Sequence, residues 1–430
     1  MIPIVNKHSL CQNRNITIDW PTLLIKKGYQ MAAHNSSKIG VSTATIIGMN
    51  AMIGAGIFAV PAMLAKNVGP AGVLAFLFVI ISVWFVAQSL SRVAQLFPEE
   101  GSFYTYTKKW AGHTVGILSS FSYLAGLLIA LGLLCQLTGQ YLHYFFPNIP
   151  EIFLGFITLV TIVVINAFGV SFSQFGQRIL IVCTIFPILT IIAMCLSKID
   201  ISLLTPFAPH GITNVLKATR IIIFGFFGFE CAASLFNVVK DPEKNVPKAL
   251  TYSIFLVGTL YILFVGSIIL STPPALFGSD GPLPDVLKIN FPNHPWLVTA
   301  INFSILSAIL GTIHSMVWTS SNLLISIFKK LKSSFAKHLL ATGVVNKTTS
   351  VLFVGTCILI SFLTIKNLNL FFNLTAIFIV FAYVTSIITL LTIKQEWKSK
   401  QNIKTILGIL TASVIFIFAL QGIIEEIMAL

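Results

Sequence analysis

Ile53–Phe58 reads IGAGIF, and Gly225–Glu230 reads GFFGFE. Both motifs place glycine in the middle of an apolar run. Glycine weakens a helix interior by roughly 0.5–1 kcal/mol relative to alanine. Inside lipid, an unwound backbone persists only where protein or a water-filled cavity satisfies its N–H and C=O groups. Taken singly, such glycines read equally well as small residues that let two helices approach closely. Their placement decides between the readings, because they fall in the first and the sixth of the spans the sequence predicts.

Those spans follow from composition. Of 430 residues, 56% are hydrophobic and only 9% are charged, with a mean hydropathy of +0.91. Soluble domains are about 25% charged, so the natural solvent of this chain is hydrocarbon, which is crossed by about 20 apolar residues per helix. Apolar runs bounded by charge, Pro and Gly predict an all-α polytopic membrane protein with about 11 transmembrane helices. They group as a polar cytoplasmic tail (residues 1–38), helices 1–5 within 39–200, helices 6–10 within 213–393, and an accessory eleventh helix within 404–430. The tail lacks the apolar segment of a signal peptide, and Met31 is a second candidate start.

The net charge of +14 invites a nucleic-acid reading, but the cations sit in short loops. With the N-terminus inside, every Lys and Arg except Lys66, Lys198, Lys217, Arg220, Lys288 and Lys366 falls on the cytoplasmic side. That asymmetry is the positive-inside rule; it predicts a bacterial-type inner-membrane protein and makes the lipid bilayer, not nucleic acid, the partner. Six cysteines show no CxxC spacing and read as small core residues. No metal-spaced or Ser/His/Asp constellation is present, so no cofactor, metal site or enzymatic activity is expected.

Helices 1 and 6 open two consecutive five-helix units. Interruptions at matching positions of two halves point to the binding site of an inverted-repeat transporter. Half-helix N-termini there would offer free N–H groups to a carboxylate, and unwound carbonyls would suit an ammonium, so a zwitterionic amino acid fits both. Glu230 is the only one of 13 acidic residues well inside a span. It lies about 15 Å along a helix from Arg220, near the midplane, where an ionisable group reads as functional unless it is merely protonated and hydrogen-bonded. His314, near the middle of helix 8, reads more readily as a packing or hydrogen-bonding residue, with a site role as the second possibility. Interhelical hydrogen bonds account for Asn50, Gln136, Asn166 and Asn302.

The chain resembles the amino acid–polyamine–organocation permeases over essentially Lys38–Ile393. The residues that carry the resemblance are IGAGIF with Pro61, FPEEGSFYTY (Phe97–Tyr106) in the loop after helix 2, and FGFFGFE (Phe224–Glu230) followed by KDPEKNVPKA (Lys240–Ala249). It implies a five-plus-five inverted-repeat (LeuT-like) fold, alternating access, and an amino acid held between helices 1, 3, 6, 8 and 10. The breaks then supply Ile53, Gly54, Ala55, Gly56, Phe224, Gly225, Phe226 and Gly228. YLHYFFP (Tyr141–Pro147) is similar to the arginine/agmatine antiporter branch. By that likeness Glu230 falls at a pH-sensitive gate or proton-linked glutamate and Phe224 at a gating tryptophan.

Other positions depart from that branch. Leu131 stands where an arginine-binding asparagine is implied, with Leu127 and Leu134 on the same face, and Met316 replaces the aromatic that stacks on a guanidinium. An apolar wall does not offset guanidinium desolvation, so neutral apolar amino acids fit better, as in neutral amino-acid exporters. Thr184 takes the place of the lysine of proton-coupled relatives, which favours exchange or facilitated flux. A cationic amino-acid or polyamine antiporter is the alternative. A non-transporting membrane sensor is a lesser one, since no soluble output domain interrupts the spans. The family usually has twelve helices, which leaves a homodimer open as the assembly.

Overall fold

The computed structural model describes residues 39–54, 56–97, 102–168, 174–230, 239–277, 283–393 and 400–428. The N-terminal tail with Met31, Cys11 and Cys231, Ala55, Pro98–Gly101 of the loop motif, and the second half of the sixth span (231–238) lie outside them.

Break residues and apolar periodicity set the elements. The first predicted span is two helices, α1 (Val41–Met52) and α2 (Gly56–Asn67), bent 54° apart at the IGAG segment. α3 (Gly72–Leu96) is continuous. α4 (Ser102–His143) is interrupted at Gly112, whose φ of 81° only glycine adopts freely. This corrects one expectation: the part of FPEEGSFYTY from Ser102 onward is helical, and the break falls later, at Gly112. α5 (Glu151–Ala167) and α6 (Gln174–Leu196) follow.

The sixth predicted span starts as α7 (Gly211–Ile222), tightens into a 3-10 turn (Ile223–Phe226), and turns extended at Phe227. Its continuous-helix geometry between Arg220 and Glu230 is therefore not kept. α8 (Pro242–Ser271) and α10 (Pro295–Lys330) flank a short α9 (Leu283–Asn290). α11 (Ser334–Ala341) precedes α12 (Lys347–Thr364), α13 (Leu368–Ile387, continued by the turn Thr389–Thr392) and α14 (Lys400–Met428). Among the described residues seven helices are long and apolar enough to cross a membrane, or eight with the bent α1–α2 pair. This is a multi-pass all-α membrane protein.

α4 is the axis of the bundle. It packs against α13, α5, α10 and α12, while α8 lies along α1 and α3, and α14 along α13, α3 and α7. Close approach of α5 to α4 and to α12 depends on missing side chains. A Cβ at Gly155 would lie 2.6 Å from the Cys135 carbonyl, and one at Gly355 would lie 2.6 Å from a Val163 methyl. Such small-residue contacts bring helices together where hydrophobic driving force is absent. The outward faces of α5 and α12 are apolar and exposed, with Ile152, Phe153, Leu352 and Phe353 each at least half accessible, as a lipid-facing surface requires.

Candidate functional site

The two breaks meet at one side chain. Tyr261 of α8 is fully buried; its hydroxyl lies 3.0 Å from the Met52 carbonyl at the end of α1 and 3.1 Å from the Gly225 carbonyl in the 3-10 turn. Its single proton is shared between two carbonyls at the ends of interrupted helices; the Met52 carbonyl also accepts from the Gly54 N–H at 2.9 Å. An unsatisfied carbonyl in this setting would cost about 1–3 kcal/mol, so Tyr261 supports the break at Gly225 and ties it to the end of α1. Backbone fit completes the junction: Gly228 has φ 106°, and a Cβ on it would collide with the Ala51 carbonyl.

Beside this junction is a cavity of about 220 Å³. Its apolar lining is Ile47, Ala51 and Ile53 from the first broken span, Leu127 from α4, and Met316 from α10. Its polar lining includes Asn50, Thr184, Thr312, His314, Ser315 and Thr319. Glu230 and Tyr123 also line it, and among the described residues Glu230 is its one charged lining residue. A smaller cavity of about 30 Å³ adjoins it, bounded by Gly54, Gly56, Phe224, Phe227 and Ile379, and shares Ala51, Leu127, Thr312 and Met316. Phe224 caps this end, its ring edge-on to Phe372 with centroids 5.0 Å apart.

Glu230 is held from three directions. Tyr123 of α4 donates to Oε1, Tyr383 of α13 donates to Oε2 at 2.6 Å, and the Gly228 N–H donates to Oε2 at 3.1 Å. Bonds of this kind to a carboxylate are about twice as strong as neutral ones. The rings of Phe103 and Phe229 pack against Tyr383 beside this cluster.

His314 is buried at the cavity wall. The Asn166 amide nitrogen donates to the Ile162 carbonyl at 2.9 Å and to His314 Nδ1 at 3.0 Å. Because Nδ1 accepts, a neutral His314 carries its proton on Nε2.

Of the residues expected at the site, Ile53, Gly54, Gly56, Leu127, Thr184, Phe224, Glu230, His314 and Met316 line these two cavities. Ala55 lies outside the described residues. Leu131, Gly225, Phe226 and Gly228 line neither. Leu131 is fully buried, Phe226 stacks edge-on against Tyr261, and Gly225 and Gly228 contribute backbone groups to the junction. Sequence reading missed Tyr123, Tyr261 and Tyr383. Tyr123 precedes Leu127 by one helical turn and so shares its face; Tyr261 and Tyr383 carry no comparable signal.

Residues 39–426 match the amino acid permease family model. The chain belongs to this family. Individual relatives are distant. The branched-chain amino acid permease BcaP of Bacillus subtilis is 24% identical over 295 residues, covering 64% of this chain and 62% of the relative. The gamma-aminobutyric acid permease of the same organism is 27% identical over 309 residues, covering 66% and 64%. The match thus spans less than two thirds of the length of either relative. The crystal structure of MhsT in complex with L-phenylalanine aligns over 90% of this chain and 99% of that one, with a TM-score of 0.61 and 14% identity. That likeness shows the fold, a LeuT-like bundle, and the family member described here shares it.

Proposed function

We propose that this chain is a secondary transporter that carries a neutral, mainly apolar amino acid across a bacterial inner membrane by alternating access. It is not an enzyme. The observation that carries the reading is the 220 Å³ cavity at the meeting point of two broken helices. A pocket below the roughly 300–1,000 Å³ of drug-sized sites suits a ligand of this size. The start of α2 offers helix N-terminal N–H groups and a positive dipole end to a substrate carboxylate. No Lys or Arg lines the cavity among the described residues, so the carboxylate depends on that backbone. The substrate side chain lies against Ile47, Ile53, Leu127 and Met316, which offer no partner to a guanidinium. Names of relatives agree with a zwitterionic cargo, branched-chain amino acids for one and gamma-aminobutyric acid for another.

Residues 39–200 and 213–393 act as the two inverted repeats, with the N-terminus cytoplasmic. Phe224 closes one end of the passage, and the Glu230–Tyr123–Tyr383 cluster forms the other gate. Proteoliposome uptake of labelled leucine, phenylalanine, methionine and arginine, with and without internal substrate, tests the assignment. Saturable uptake of the apolar three, accelerated by internal substrate, is expected. Uptake of arginine alone would overturn it in favour of the second reading, a cationic amino-acid or polyamine antiporter, which the position of Glu230 in the cavity lining supports.

A further inference from the structure

At the end of the bundle where α4 finishes, α5 begins and α12 finishes lies another cavity, of about 170 Å³. Its polar lining is Gln136 and Gln140 of α4, Glu151 of α5 and Lys366 just after α12; Ile152, Phe362 and Leu363 are the apolar remainder. It shares no lining residue with the cavity at the breaks.

The chemistry of this lining is two-signed. Gln136 donates from its amide nitrogen to the Phe362 carbonyl at 2.9 Å and to the Ile365 carbonyl at 2.6 Å, which are carbonyls freed at the end of α12. Both amide protons are thereby used, so what Gln136 has left to offer is its oxygen, an acceptor. Glu151 adds a carboxylate, while Lys366 adds an ammonium. Among the described residues neither the Glu151 nor the Lys366 side chain has an ion-pair or hydrogen-bond partner. A lone lysine at a membrane edge commonly extends to the headgroup region. Opposite charges that line one cavity without pairing are a different arrangement, and they match a ligand carrying both an ammonium and an anion.

The surroundings favour a lipid as the source of that ligand. Ile152 is 56% exposed and Leu363 47% exposed, and one helical turn away on the same faces Phe156 and Ile360 are also open. A polar cavity with a hydrocarbon-compatible surface beside it fits a headgroup with its acyl chains. A free amino acid would use only the polar part.

We propose that this cavity binds a zwitterionic headgroup bearing a primary ammonium and a phosphate, of the phosphatidylethanolamine class, with its chains along α5 and α12. The ammonium lies towards Glu151 and the Gln136 oxygen, and the phosphate towards Lys366.

Native mass spectrometry of the full chain in detergent, titrated with phosphatidylethanolamine, phosphatidylcholine or phosphatidylglycerol, tests the site. One phosphatidylethanolamine is expected to bind about tenfold more tightly than phosphatidylcholine, whose quaternary nitrogen has no proton to donate. Glu151→Gln should remove that preference and leave phosphatidylglycerol binding unchanged, whereas Lys366→Gln should weaken both. Both side chains are exposed, and an unchanged Tm verifies the fold of each variant. The exchange Glu151→Lys with Lys366→Glu should bind phosphatidylethanolamine better than either single variant does. Displacement of the bound lipid by millimolar leucine would assign the site to free amino acids and overturn the lipid source. Equal affinity for all three lipids in the wild type and both variants would overturn the site itself.

Discussion

Tyr383 donates to Glu230 Oε2 at 2.6 Å, and in doing so ties α13 to the segment that follows the sixth-span break. Tyr123 donates to the other carboxylate oxygen from α4. One carboxylate thus joins three separate elements in the lining of the cavity. On the gating role proposed above, a path past this point opens only when at least one phenol lets go, and the cluster acts as a latch whose strength is set by two charge-assisted bonds.

Replacing Tyr383 with Phe removes one of these bonds and should shift the latch towards its open form. Hydrogen bonds to charged groups are worth about 1.5–3 kcal/mol, a change of roughly tenfold or more in the open population. Cysteine-labelling rates at Thr319, introduced as Thr319→Cys in the lining, should rise by a similar factor in Tyr383→Phe. Glu230→Gln should lower exchange in proteoliposomes. Exchange unchanged in Glu230→Gln would count against the latch.

Tyr261 offers a separate test of the junction. Tyr261→Phe keeps the ring, and with it the edge-on contact to Phe226, but leaves the Met52 and Gly225 carbonyls without their shared donor. A loss of about 1–3 kcal/mol is expected, read as a lower Tm in detergent. Substrate affinity should fall as well, because the same carbonyls fix the cavity wall. An unaltered Tm would show that the breaks are satisfied some other way.

Gly56 and Gly228 should fail differently. A Cβ at Gly56 would stand 2.7 Å from the Phe224 ring and 3.4 Å from the Gly225 backbone. Gly56→Ala therefore displaces a side chain at the cap and should weaken binding with little change in Tm. Gly228→Ala combines a φ of 106° with a collision against the Ala51 carbonyl, so backbone must move. Strain of about 1–3 kcal/mol from the dihedral alone should appear as lowered Tm, and thermal scans of the two variants side by side distinguish these outcomes.

Glycine spacing made the two breaks legible in the sequence, because a helix interior penalises glycine and lipid penalises unpaired backbone. Glu230 stood out by its cost in hydrocarbon. What completes the site was not legible. Tyr261 and Tyr383 sit in ordinary apolar helices, and their importance comes from which carbonyls and carboxylate the fold brings to them. Leu131 shows the converse: it shares the α4 face with Leu127, yet it packs inside the bundle and reaches neither cavity. The contacts of the accessory helix were not legible either. α14 packs on α13, α3 and α7, and its Glu425 meets Lys217 of α7 at 2.6 Å.

That contact bears on the first half of the sixth span. Arg220 donates to the Phe418 carbonyl at 3.3 Å and lies against Gly422, where any Cβ would collide with its guanidinium. Gly422→Val should push Arg220 off α14 and lower the Tm, while Glu425→Gln, losing a half-exposed ion pair, should cost only about 0.2–1 kcal/mol. Thermal scans at low and high salt separate the two, since only the Glu425 effect should shrink with salt.

The Asn166–His314 pair yields the sharpest statement about substrate contact. Asn166 donates to Nδ1, so His314 presents a protonated Nε2, and the tautomer is imposed from α5 rather than from the cavity. Asn166→Leu removes that constraint without touching the lining. If His314 contacts substrate as a donor, the half-saturation constant should rise about fivefold, the equivalent of one neutral hydrogen bond of about 1 kcal/mol, with the maximal rate altered less. Asn166→Asp should act more strongly in the same direction, because a carboxylate accepts from Nδ1–H and turns a neutral Nε2 into an acceptor. A purely structural role for the pair predicts instead a lower Tm with an unchanged half-saturation constant in both variants, and uptake kinetics measured beside thermal scans decide between them.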